Sequence, residues 1–127
     1  MKLNRIKPLM AFAVLVAACN LPDQGGGAIA VDAGAGTNPA YYWDAGVCSL
    51  TVARTSNTGR VVWGVTTGTG NSIFSPYFHG QIKSGVTRIA NSESTLTCGI
   101  EYRVRVVSTD GSDGWTDFTP ASTGGGG

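Results

Sequence analysis

Hydrophobic and polar positions alternate most clearly in residues 102–107, Tyr-Arg-Val-Arg-Val-Val. In a strand, Tyr102 and the valines at even positions would point to one face and the two arginines to the other. This alternation predicts a half-buried β-strand whose apolar face packs on a core. Cys98 and Gly99 have the composition of a turn just before this strand, and Leu96 lies on the far side of that turn.

Other short stretches rich in β-branched and aromatic residues are separated by Ser, Thr, Asn and Gly, which favour turns. The strands that this pattern predicts are Ser49–Arg54, Arg60–Thr67, a broken strand over Ile73–Ile82, Val86–Leu96 and Trp115–Thr119. About six or seven short strands at this spacing predict an all-β domain, a small antiparallel β-sandwich over residues 47–122.

The N-terminus has the parts of an export signal. Three basic residues lie within residues 2–7, an apolar run covers 9–18, and Cys19 follows. These features predict a signal peptide over residues 1–18. An apolar helix of this length spans only about 15 Å, half of a hydrocarbon core, so a permanent transmembrane helix is not expected.

Val16-Ala17-Ala18-Cys19 resembles the lipobox of bacterial lipoproteins. The resemblance implies that Cys19 is acylated and that the mature chain begins there, anchored in the membrane of a bacterial envelope. Two or three acyl chains anchor a protein stably, whereas one binds weakly and reversibly. In a bacterium with two membranes, Asn20 after the cysteine favours the outer one. The alternative is an ordinary secretory signal with a coincidental cysteine.

Residues 19–46 are mostly small or polar, and they predict a flexible tether after the lipidated cysteine. Residues 123–127 predict a glycine tail. Within the tether, Tyr41-Tyr42-Trp43 has two interpretations: a contact surface for glycan or peptide, or a cluster that packs against the edge of the domain.

Charge excludes one class of partner. Without residues 1–18 the chain keeps six basic and eight acidic residues, a net charge of −2. Nucleic-acid binding would need a basic face or stripe, so no nucleic-acid partner is expected.

The sequence around Tyr102 is similar to the fibronectin type III family. Leu96, the turn and Glu101-Tyr102 fit the family pattern, with Cys98 in place of its proline. Trp63 matches the buried tryptophan of strand B, and Asp110–Phe118 matches the F–G loop and strand G. The resemblance covers residues 47–120 and implies a β-sandwich. The immunoglobulin alternative would place a cysteine two residues after the tyrosine, whereas Cys98 precedes it.

Cys48 and Cys98 are the remaining candidates for a disulfide once Cys19 is lipidated. In the chain-entropy model such a bridge would stabilise by roughly 4 kcal/mol. In a standard fibronectin type III domain, however, these positions lie at opposite poles. Three solutions stay open: strand A is displaced, the strands are assigned one place off, or each cysteine pairs elsewhere.

Candidate chemistry is sparse. His79 is the only histidine, so neither a catalytic triad nor a zinc site is expected, and no cofactor or enzyme activity is predicted. Asp110, Asp113 and Asp117 could offer oxygen ligands to calcium, but a solvated turn is the simpler interpretation. The predicted contact surface comprises Tyr41, Tyr42, Trp43 and Trp115.

Together these features predict a membrane-anchored lipoprotein that presents a non-catalytic β-sandwich for binding or adhesion to protein or glycan. The alternatives are a structural or accessory lipoprotein of an envelope complex, and an accessory domain related to those of secreted hydrolases.

Overall fold

The computed structural model describes residues 29–121. The predicted signal peptide, the lipidation site Cys19, the first part of the tether and the glycine tail lie outside the described residues.

Within residues 29–121, eight strands form two antiparallel sheets, which confirms the predicted all-β class. The smaller sheet has the order β1-β2-β5 and the larger one β6-β4-β3-β7-β8. A 3-10 turn, Thr55–Asn57, lies between β3 and β4. The strands are β1 Val31–Ala33, β2 Ala40–Trp43, β3 Ser49–Arg54, β4 Val61–Thr66, β5 Tyr77–Phe78, β6 Thr87–Asn91, β7 Tyr102–Val107 and β8 Asp113–Phe118.

Strand β7 lies where the alternation predicted it and organises the larger sheet. It pairs with β3 on one side, from Ser49 opposite Val107 to Arg54 opposite Tyr102, and with β8 on the other. Its Tyr102, Val104 and Val106 are fully buried. The same period places Leu50 and Val52 of β3 in the core, so β3 and β7 together form one side of it.

The smaller sheet closes the core from the opposite side. Tyr41 and Tyr77, which lie opposite each other on β2 and β5, are both fully buried. Trp63 of β4 packs between the sheets, with its ring centroid 6.2 Å from that of Tyr77. Large aromatic side chains therefore fill the space between two small sheets, and each removes much apolar surface from water.

The prediction of a flexible tether is wrong for residues 29–46, the part of it that the structure describes. Residues 31–33 and 40–43 are strands β1 and β2, paired from Val31 opposite Trp43 to Ala33 opposite Tyr41. The N–H of Ile29 also donates to the carbonyl oxygen of Asp113 on β8, at 3.0 Å. Strand pairing satisfies the backbone groups of this segment, and its bulky residues Val31, Tyr41 and Trp43 are buried in the core. A segment of mostly small residues can therefore still form a sheet.

Gly114 shows how closely this N-terminal segment packs. A Cβ atom at this position of β8 would collide with the backbone oxygen of Ile29. The first described residues therefore lie directly against the larger sheet, and the domain begins before Val47.

Several predicted strand boundaries also change. The broken strand over Ile73–Ile82 reduces to β5, with Ile73 forming an isolated bridge to Val47. The strand over Val86–Leu96 is only β6, and the last strand begins at Asp113 instead of Trp115. With β1 and β2, the described residues contain eight strands where six or seven were predicted.

Trp63 is fully buried, as the resemblance implies, but its position does not fit strand B of that family. It lies on β4, in the same sheet as Tyr102, whereas strands B and F of an immunoglobulin-like sandwich lie in opposite sheets. Trp43 on β2 is the buried tryptophan of the sheet opposite Tyr102.

The predicted Cys48–Cys98 disulfide is not formed, because Cys98 is a free and exposed thiol. The N–H of Cys48 donates to Val107 at one end of β7, while Cys98 precedes Tyr102 at the other end. The strand between these ends is about 17 Å long. Disulfides need Cα atoms within about 7 Å, so the geometry excludes this bridge.

Candidate binding surfaces

The four residues predicted as one contact surface lie in three separate places. Tyr41 and Trp43 face the core, whereas Tyr42 between them is 47% exposed. Trp115 lies on the larger sheet. Tyr41 and Trp43 therefore pack in the domain, as one interpretation of the cluster predicted, and Tyr42 is exposed because successive residues of a strand face opposite sides.

Trp115 is covered by its neighbours on the outer face of the larger sheet. The guanidinium carbon of Arg103 lies 3.7 Å from the centre of its ring. Arg103 is held there by Asp117, with Nε 2.8 Å and Nη2 3.2 Å from the two carboxylate oxygens. This bidentate pair and the cation–π contact occupy the ring face that a ligand would need.

The three acidic residues predicted as possible calcium ligands do not converge. Asp110 accepts a hydrogen bond from Ser108 Oγ at 2.8 Å and one from the Ser112 N–H at 2.9 Å. The Ser112 and Ser108 hydrogen bonds lower the pKa of Asp110. Asp113 pairs with Arg105 at 3.1 Å and Asp117 with Arg103. Residues 29–121 contain no group of His, Cys, Asp and Glu side chains arranged to hold a metal.

The outer face of the smaller sheet carries two exposed aromatic rings. Tyr42 on β2 and Phe78 on β5 are about half exposed. Ala40 lies opposite Phe78, so Tyr42 is the diagonal neighbour of Phe78, at a Cα distance of about 7–8 Å. Asp32 lies opposite Tyr42 on β1 and is exposed. We call Asp32, Tyr42 and Phe78 the aromatic face.

A buried chain of hydrogen bonds joins the two sheets. The hydroxyl of Tyr41 lies 2.8 Å from Nδ1 of His79, and Nε2 of His79 lies 2.8 Å from the carbonyl oxygen of Glu93. A carbonyl oxygen only accepts, so Nε2 carries the proton and Nδ1 accepts from Tyr41. Burial lowers the pKa of His79 and raises that of Tyr41, so both are neutral near pH 7.

Glu93 extends this chain to the corner before β7. Its carboxylate accepts from Arg54 Nε at 2.8 Å and from the Tyr102 hydroxyl at 2.6 Å, and that hydroxyl accepts from the Thr97 N–H at 2.9 Å. Burial acts to raise the pKa of Glu93, but the hydrogen bonds from Arg54 and Tyr102 outweigh it. The pKa of Glu93 is therefore lowered.

A polar groove of about 680 Å³ opens beside this corner. One wall is the β3–β4 connection, with Arg54, Ser56, Asn57 and Arg60, and the other is formed by residues from Ser92 to Thr97. Among the described lining residues, Val62 is the apolar one. We refer to this surface as the polar groove.

His79, the one histidine of the sequence, does not reach either surface. Both ring nitrogens of His79 are occupied inside the core, and His79 is only 3% exposed. A general base must reach a nucleophile or a substrate proton.

Sequence reasoning missed Phe78 and the whole polar groove. The alternation of Tyr77 and Phe78 was a usable signal, but Pro76 and the shortness of β5 obscured it. The groove joins segments about 40 residues apart, and only the pairing of β4 with β6 brings them together.

Comparisons of the chain with models of known protein families, with curated proteins and with solved structures gave no match. In residues 29–121 there is also no helix with the length and apolar character needed to cross a membrane.

His79 predicts a pH dependence of stability. Its folded pKa is lowered below the ordinary value of 6.5, so the unfolded chain binds a proton that the folded domain excludes. The contribution of neutral His79 to the free energy of unfolding is complete above the ordinary pKa of 6.5. It is lost as the pH falls from that value towards the lowered pKa of the folded domain. We expect the free energy of unfolding to decrease from about pH 7 to about pH 5, by at most about 1.4 kcal/mol per unit.

Urea denaturation across this range measures the effect. His79→Gln keeps a donor and an acceptor but does not titrate, so its slope in this range should be close to zero. An equal slope in wild type and His79→Gln would show that another group is responsible.

Proposed function

We propose that this protein is an exported bacterial lipoprotein, anchored through acylated Cys19, that presents a non-catalytic β-sandwich for binding. The anchor is supported by the basic, apolar and small-residue pattern that ends at Cys19. The presented module is supported by a compact core with exposed aromatic side chains on one outer face.

We further propose that the sandwich is of the fibronectin type III or immunoglobulin-like kind. Strands β3, β7 and β8 are neighbours in the order that C, F and G take in such sandwiches. The hydroxyl of Tyr102, at the start of β7, accepts from the Thr97 N–H five residues upstream. This contact resembles the tyrosine corner of these domains and supports the assignment.

The aromatic face is the observation that carries the binding proposal. The rings of Tyr42 and Phe78 offer apolar surface at the spacing of a sheet diagonal, and Asp32 adds a carboxylate beside Tyr42. Sugar rings have one apolar C–H face and hydroxyl groups at their edge. Two rings and a carboxylate acceptor match that chemistry, so we assign a glycan to this face.

Binding of the soluble 20–127 chain to immobilised oligosaccharides on a glycan array tests this assignment. Replacing both rings, in Tyr42→Ser/Phe78→Ser, should weaken binding by about tenfold or more, because the stacking surface is lost. The matched control is Ile89→Ser, since Ile89 is 43% exposed but lies on β6 of the other sheet.

Equal binding by wild type and the double variant would contradict the assignment, as would the absence of any bound glycan. Circular dichroism and thermal unfolding of the three proteins establish that the differences do not come from misfolding.

Metabolic labelling with palmitate tests the anchor separately. We expect label in the wild type. Cys98→Ser should also be labelled, because it removes the exposed thiol of the folded domain but keeps Cys19. Cys19→Ser should carry no label. Label retained in Cys19→Ser would contradict the lipobox interpretation.

A role as an accessory lipoprotein of an envelope complex is the second candidate, and the edge strand β6 favours it. This strand pairs with β4 on one side and with no other described strand. Four of its five residues are exposed, so both of its faces are accessible. Such an edge can accept a strand from a partner.

Co-purification of one stoichiometric protein with the chain would favour this role. The partner should be retained by Tyr42→Ser/Phe78→Ser and lost on replacing Ala90 of β6 with Pro.

A further inference from the structure

The polar groove contains two arginines, and only one of them, Arg54, forms an ion pair with another described residue. Arg54 is committed to Glu93 at 2.8 Å. No described residue offers an acceptor to the Arg60 guanidinium, which is exposed at the groove wall. The N–H of Arg60 donates to the carbonyl oxygen of Asn57 at 3.1 Å, which fixes its backbone at the end of the turn.

The groove carries a local positive charge at that wall. Two arginines and one glutamate line it. The Glu93 carboxylate is covered on both oxygens, one by Arg54 and one by the Tyr102 hydroxyl. An anion entering the groove would therefore meet Arg60 with little repulsion from Glu93, since close pairing offsets its charge.

The rest of the lining is hydrogen-bonding surface. The side chains of Ser56, Asn57 and Ser94 make no hydrogen bond to other described residues, so their donors and acceptors are available. A volume of about 680 Å³ lies within the range of small-molecule sites. An apolar ligand would leave these groups unpaired, at a cost in affinity, whereas a ligand rich in hydroxyls would pair with them.

We propose that the polar groove binds an acidic saccharide, whose carboxylate pairs with Arg60 and whose hydroxyls pair with Ser56, Asn57 and Ser94. Planar guanidinium and carboxylate groups form bidentate hydrogen bonds, which give direction as well as charge. This site is distinct from the aromatic face, because it lies beside the β3–β4 connection of the larger sheet. Surface substitutions that remove ligand binding at one site should therefore leave binding at the other unchanged.

Two matched probes test the proposal: methyl β-D-glucuronide and methyl β-D-glucoside, which differ only in the carboxylate. Titration of the 15N-labelled 20–127 chain by NMR measures binding through the amide shifts of Ser94, Thr95 and Thr97. We expect the glucuronide to shift these amides, and the glucoside to bind about tenfold more weakly or worse.

Arg60→Ala should weaken glucuronide binding by about tenfold, and Arg60→Lys should restore part of it. The matched control is Arg88→Ala, because Arg88 is an exposed arginine on β6 that does not line the groove. Tyr42→Ser/Phe78→Ser should bind the glucuronide like the wild type, which separates this site from the aromatic face.

Several results would overturn the proposal. They are equal affinity for the glucuronide and the glucoside, equal affinity of Arg60→Ala and Arg88→Ala, and the absence of shifts at the groove amides. Acetate binding as tightly as the glucuronide would show a bare anion site and would remove the saccharide from the proposal.

Discussion

The hydrogen-bond chain from Tyr41 through His79 to Glu93 is the interaction on which this structure depends. It crosses the core from β2 of the smaller sheet to the segment after β6 of the larger one. A buried donor or acceptor without a partner costs about 1–3 kcal/mol, so the chain stabilises only while every member is present. Trp63 packs on the His79 ring, with centroids 4.5 Å apart, and shields the chain from water.

Both candidate surfaces follow from this arrangement. Because Tyr41 and Tyr77 are committed to the core, the alternation of a strand turns Tyr42 and Phe78 outward on the same sheet. At the other end of the chain, Glu93 fixes Arg54 and leaves Arg60 as the available cation of the polar groove. The aromatic face and the groove therefore depend on the same buried residues but present different chemistry.

How much of the fold the sequence predicts depends on the kind of signal. Strands β3 and β7 were confirmed with their boundaries because their alternation is long enough to be recognised. Strands β1 and β2 were missed because they have only three and four residues, among glycines and alanines. His79 was recognised only as an isolated histidine, since its partners lie 14 and 38 residues away. Those contacts exist only once the strands have paired.

Comparison of the 20–127 chain with a 47–127 chain tests the central claim, that β1 and β2 are part of the sandwich. Removing residues 20–46 takes away Tyr41 and Trp43 and leaves His79 without its hydroxyl partner. The account predicts a cooperative thermal transition and dispersed NMR amide signals for the longer chain, and neither for the shorter one. A 47–127 chain that folds with an unchanged melting temperature would contradict it.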